Sequence, residues 1–190
     1  MIVPVLFIHG AGDGAFSEDR KLAECLQDKL GHGYEVRYPA MPDEDDVNYD
    51  VWRERILQDV ERMDEAPVLV GHSVGASVLI KIFTTPGPKP TIAGMFLVAG
   101  PFWYDHEFWR WDEVKLTSDA GENYPKDTAL FAYHGESDES VPVTHLEMLV
   151  AMLPQIIAQR LPGRDHQLNG DMTEVARDIS QLITAGKVSR

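Results

Sequence analysis

The run Gly71-His72-Ser73-Val74-Gly75 sets a serine between two glycines, directly after the apolar stretch 67–70 and ahead of the helix-like stretch 74–83. A serine hydroxyl is a weak nucleophile at neutral pH, so chemistry at Ser73 requires a base, and the base requires a group to orient it. A sharp strand-to-helix turn of this kind lifts the hydroxyl clear of the sheet. The flanking glycines fit positions where the tight turn brings backbone too close for side chains. The helix N-terminus behind the serine adds positive potential where an oxyanion would form.

Seven histidines could supply the base. His9 and His134 each precede a glycine at a strand end, His72 lies inside the serine turn, and His32, His106 and His145 carry no partner signal. His166 differs: it falls in Pro162-Gly163-Arg164-Asp165-His166, between the last strand and the final helix. A doubly wound sheet binds ligands at the carboxyl ends of its strands, and a loop there can swing a side chain over that edge. The orienting carboxylate is expected after an earlier strand. Asp138, in His134-Gly135-Glu136-Ser137-Asp138, is the candidate, with Glu136 as its rival. An oxyanion needs two donors. The N–H of Val74 is one, and the N–H of Ala11, in His9-Gly10-Ala11-Gly12, is assigned as the other. That glycine-rich loop lacks a P-loop lysine and the dinucleotide spacing, so no cofactor is expected, and no Cys/His cluster has metal-ligand spacing. His9, Trp103 and Trp109 are the candidate lining of a substrate pocket.

These residues need a scaffold that brings them to one edge. Stretches 2–8, 34–38, 67–70, 92–99, 128–133 and 155–161 read as strands, the first being apolar without a polar break, as in a strand covered on both faces. Between them, 17–30 carries Leu22, Cys25, Leu26 and Leu30 at helical spacing, with Glu18 and Asp19 in its first turn. Residues 51–63 carry Trp52, Ile56, Val60 and Met63 on one helical face. A further helix begins near Pro142, and Asp171 with Glu174 resembles a capping box for the last one. The acidic stretch Asp43-Glu44-Asp45-Asp46 reads as a solvated loop. The expected fold is α/β, a mostly parallel sheet of about six strands with helices on both faces, in one domain spanning 1–190. Segment 101–125 breaks the alternation with Phe102, Trp103, Tyr104, Phe108, Trp109, Trp111 and Tyr124. It reads either as a short cap over a site or as packing against the sheet edge.

A formal charge of −14 argues against nucleic acid and anionic membranes as partners, since no basic cluster is available to bind phosphates. One cysteine, Cys25, excludes an intramolecular disulfide framework and reads as a buried small hydrophobe. The short apolar run at 2–8 has no basic region before it, so neither export nor a membrane span is expected, and the cytoplasm is the default location.

Together the serine turn, the order Ser73, Asp138, His166 and the His9-Gly10 loop resemble the α/β-hydrolase superfamily over essentially the whole chain. The first strand resembles that superfamily's third, which implies a minimal fold without the leading hairpin. Tyr38-Pro39-Ala40-Met41-Pro42, Trp52 and Phe96-Leu97-Val98-Ala99 are similar to the small serine hydrolases of the retinoblastoma-binding-protein type. The L-x-C-x-E partner motif of that group is absent around Cys25, where the chain reads Leu22-Ala23-Glu24-Cys25-Leu26. The resemblance implies hydrolysis of a small-molecule carboxylic ester through an acyl-enzyme. Amide or peptide hydrolysis on the same residues, and a catalytically idle protein-binding module, are the alternatives.

Overall fold

The computed structural model describes residues 2–188. Six strands form the sheet: β1 (Val3–Ile8), β2 (Tyr34–Arg37), β3 (Val68–His72), β4 (Gly94–Val98), β5 (Ala129–Gly135) and β6 (Ile157–Leu161). Their order is β2-β1-β3-β4-β5-β6, and every neighbouring pair is parallel. The helices are α1 (Ala15–Leu30), α2 (Tyr49–Glu61), α3 (Val74–Thr84), α4 (Ala120–Asn123), α5 (Thr144–Met152) and α6 (Thr173–Val188).

Alternation along each strand divides the core into two layers. Val5 and Phe7 of β1 join Val68, Val70, Phe96 and Val98 under Leu22 and Leu26 of α1 and Val175 and Ile179 of α6. Leu6 and Ile8 point the other way and join Leu69, Met95 and Leu97 under Trp52 and Ile56 of α2, Leu79 and Phe83 of α3, and Leu146 and Leu149 of α5. Both faces are covered, which is why the central strands β3 and β4 are buried at every residue and apolar except for His72 at the end of β3. The chain leaves β1 toward β2 on one side and returns as β3 on the other. This reversal opens a crevice at the carboxyl ends of β1 and β3, where such sheets bind ligands.

Several local expectations shift. β3 extends past residue 70 to His72, because Gly71 and His72 still pair with Leu97 and Val98 of β4. The helix expected at Pro142 begins at Thr144, after a turn in which His145 N–H donates to the Pro142 carbonyl. Cys25 is half-buried, at the margin of the α1 layer, rather than fully enclosed. At α6 the Asp171 carboxylate accepts from Thr173 N–H, as a cap should, but Glu174 does not reach back to Asp171 N–H, which donates to Leu168. Arg164 holds both carboxylates instead. The capping box is therefore half formed.

Segment 101–125 holds no strand and only the short α4. Ser77 Oγ–H donates to the Pro101 carbonyl, Phe102 N–H donates to His145 Nδ1, and Lys81 Nζ reaches the Lys115 carbonyl. The segment is thus tied to α3 and α5 along its length.

Candidate active site

Ser73 sits at the β3–α3 junction with φ 51° and ψ −121°, a backbone conformation that costs a non-glycine residue about 1–3 kcal/mol. Its N–H donates to the Val98 carbonyl, which anchors the turn to β4. The two glycines are sterically required. A Cβ on Gly71 would lie 2.7 Å from Ala76 N, and one on Gly75 would lie 2.4 Å from the His9 carbonyl oxygen. The β1 loop therefore packs directly on the serine turn, and Gly10 lies beneath Ser73.

In that loop most of the amides are engaged. Gly10 N–H donates to Asp19 Oδ2 at 2.7 Å, and Gly12 N–H to the Glu44 carbonyl at 2.7 Å. Gly14 and Phe16 N–H groups donate to the Glu44 carboxylate. Among the described residues, Ala11 N–H between them has no internal acceptor, and neither has Val74 N–H at the start of α3. Glu44 is thus a brace for the loop and for the first turn of α1, not part of a merely solvated run.

Asp138 and His166 meet above the far side of the crevice. His166 Nδ1 lies 2.8 Å from Asp138 Oδ2. Asp138 Oδ1 accepts from Ser140 and Val141 N–H groups at 2.9 and 2.8 Å, and Oδ2 also faces His134 Nε2 at 3.2 Å. Burial alone would raise the Asp138 carboxyl, but the hydrogen bonds from His134, His166 and Val141 N–H outweigh it and hold it well below the usual carboxylate range. An ionised Asp138 accepts only, so His166 Nδ1 carries a proton, and in the neutral tautomer the lone pair is then on Nε2. Gly135 makes the approach possible: a Cβ there would lie 2.2 Å from the Arg164 carbonyl oxygen, in the loop that carries His166. Glu136, the rival acid, is exposed and pairs with Arg160 at 3.1 Å.

His9 does not line a pocket. It is fully buried; Nδ1–H donates to the Gly10 carbonyl at 2.6 Å, and Nε2 accepts Met41 N–H at 2.9 Å. Trp52 packs against the ring at 5.3 Å and donates its indole N–H to the Pro42 carbonyl. The Tyr38–Pro42 stretch and Trp52 therefore form a brace beneath the β1 loop. Trp103 packs into the core layer beside Trp111, whereas Trp109 lies over the His145 ring at 4.3 Å.

A family model described as an alpha/beta hydrolase family matches residues 5–177. The chain belongs to the α/β-hydrolases. Among solved structures, it is similar to a meta-cleavage product hydrolase from Pseudomonas fluorescens IP01, at TM-score 0.75 and 16% identity, over 97% of this chain and 91% of that one. A monoacylglycerol lipase from Paleococcus ferrophilus superposes at TM-score 0.70 and 16% identity, covering 95% and 94% of the two chains. SOBER1 from Arabidopsis thaliana does so at 0.69 and 15%, over 96% of this chain and the whole of that one. At these identities the likeness is one of fold. No curated protein sequence matches the chain.

Two residues of this α/β-hydrolase were hidden in bland sequence contexts. Asp19 is buried at 1% exposure and holds Gly10 N–H, His72 and Gln167. Its signal was positional: it shares the buried face of α1 with Ala15, Leu22, Ala23 and Leu26, where a carboxylate is out of place. His145 is also buried, and its Nδ1 accepts a backbone N–H from the aromatic segment. No helix among the described residues is long and apolar enough to cross a membrane.

Proposed function

We propose that the protein is a serine hydrolase that cleaves carboxylic esters of small molecules. The observation that carries this reading is the Asp138–His166 hydrogen bond at the same sheet edge as the strained Ser73 turn. His166 Nε2 would take the Ser73 hydroxyl proton as Oγ attacks the ester carbonyl carbon. The tetrahedral oxyanion would rest on the Ala11 and Val74 N–H groups, which have no internal acceptor among the described residues. Collapse would expel the alcohol, protonated by His166, and leave an acyl group on Ser73. Water, deprotonated by His166, would then release the acid and restore the hydroxyl.

Segment 101–125 is tied down at both α3 and α5 and is too short for a large lid, so the site would be partly open and suited to short or medium acyl chains. The brace formed by residues 38–42 and Trp52 supports a place near the small hydrolases of the retinoblastoma-binding-protein type. A cytoplasmic location is proposed on the single cysteine, which leaves no intramolecular disulfide to form. The test is a fluorophosphonate probe with a p-nitrophenyl acetate assay. The native protein should be labelled and active, and Ser73→Ala should be neither; undiminished labelling of the variant would overturn the assignment.

A further inference from the structure

Beneath the serine turn, His72 is buried at 1% exposure. Its Nδ1 lies 2.7 Å from Asp19 Oδ2, and its Nε2 lies 3.0 Å from the His166 carbonyl oxygen. A carbonyl oxygen can only accept, so Nε2 carries a proton. Asp19 is already an acceptor for Gly10 N–H on Oδ2 and for Gln167 Nε2–H on Oδ1, which is the environment of an ionised carboxylate. Nδ1 therefore donates as well, and the ring is an imidazolium. Burial would push the His72 imidazole down, but the hydrogen bond and charge of Asp19 outweigh it and hold it above its ordinary range. The Asp19 carboxyl, which burial would raise, is in turn held down by His72. The other titratable groups facing His72 are His9 from the β1 loop, Asp138 from the β5 loop and the His166 ring at 4.8 Å.

We propose that the Asp19–His72 ion pair is a positioning device that sets the oxyanion-hole loop and the His166 loop from one buried point. Asp19 fixes the peptide preceding Ala11 N–H, while His72 and the Asp19–Gln167 contact hold the backbone on which His166 is mounted. Both loops are thereby referenced to the serine turn, to which His72 itself belongs. A buried pair gives little net stability against an apolar replacement, so its contribution lies in fixing one arrangement. The inference rests on Ser73 and His166 being the reacting groups.

The experiment has two parts. In 15N-histidine-labelled native protein, with His72 assigned through His72→Gln, both ring nitrogens should remain protonated from pH 6 to 8. An unprotonated nitrogen at pH 7 would overturn the proposal without reference to activity. Asp19→Asn keeps the size and an acceptor for Gly10 but removes the charge. Its kcat on p-nitrophenyl acetate should fall roughly 10- to 100-fold with KM nearly unchanged, and fluorophosphonate labelling of Ser73 should slow by a similar factor yet still reach completion. Gln167→Ala, which strands no buried charge, should fall in the same direction by a smaller factor. Unchanged kcat in both variants, measured on folded protein by circular dichroism, would overturn the positioning role and leave the Ser73 reading standing. Failure of the native protein to label at Ser73 would overturn that reading whatever the state of His72.

Discussion

Asp138 uses its two oxygens for different tasks, and that division decides what a substitution does. Oδ1 is committed to Ser140 and Val141 N–H groups, so an asparagine here keeps its carbonyl oxygen on that side. Its Nδ2–H2 would then face His134 Nε2 and His166 Nδ1, both of which donate in the native protein. His166 would have to carry its proton on Nε2, the nitrogen needed as base. Asp138→Asn should therefore lower ester turnover about ten-thousandfold, the scale of losing the orienting acid in serine hydrolases. Glu136→Gln should change turnover little, since Glu136 pairs with Arg160 on the surface. Steady-state kinetics on both variants decides between them, and an exchange of the two outcomes would make Glu136 the acid.

At the scale of elements, the loop after each strand does a separate task, and the aromatic segment divides in the same way. Trp103 packs into the layer of α3 and α5 with Trp111 edge-on at 5.5 Å, and among the described residues its buried indole N–H has no partner. Trp109 belongs to the outer part of the segment, where Tyr104 N–H and the Trp109 carbonyl close a turn. It rests on His145 at the point where Phe102 is anchored. Trp103→Ala should lower stability by about 2–3 kcal/mol, the lower end for a large core ring because the site is half-buried, and should leave acyl-chain preference unchanged. Trp109→Ala should keep most of the stability and shift chain-length preference by about 1–3 kcal/mol in kcat/KM ratios. Denaturant melts paired with a C2-to-C8 ester series test this; a shifted preference in Trp103→Ala instead would place that ring against the substrate.

At the scale of the whole molecule, buried His9 and His145 shift one way and buried His72 the other, which bears on the pH of greatest stability. His9 Nε2 and His145 Nδ1 each accept a backbone N–H, so neither nitrogen can take a proton without losing that bond, and burial pushes both rings below their ordinary value. Their contribution is present above about pH 6.5 and is lost as pH falls through the lowered folded values. His72 is held up, so its contribution is present below about pH 6.5 and is lost as pH rises through the raised folded value. Asp138 and Asp19, both held down, add a further loss below about pH 4. The melting temperature should therefore peak near pH 6.5, and His72→Gln should flatten the alkaline side. A melting temperature that climbs steadily from pH 6.5 to 8.5 in the native protein would contradict these assignments. The charge of −14 acts in the same sense on the alkaline side through self-repulsion, a contribution that added salt should weaken.

The alternation of strands and helices was legible in the amino-acid order, because buried parallel strands and amphipathic helices leave different periods in the chain. That order also determined which loops face the ligand edge, since connections after parallel strands all leave from the same side of the sheet. That rule, with the glycine spacing around the serine, singled out the loops of Ser73 and His166 but left Asp138 and Glu136 as rivals after β5, and the contacts to His166 and Arg160 are what separate them. Tertiary structure alone decided which polar groups satisfy one another. Asp19 looked like an ordinary first-turn acid and Glu44 like one of several solvated carboxylates. Their partners, Gly10, His72 and Gln167 for one and Gly14 and Phe16 for the other, lie up to 148 residues away. His9 likewise looked available to a substrate until Met41 and Trp52 were seen to enclose it. A hydrogen bond is short-ranged and directional, so it leaves no periodic trace in sequence; burial does, because it recurs at every turn of a helix and every second residue of a strand.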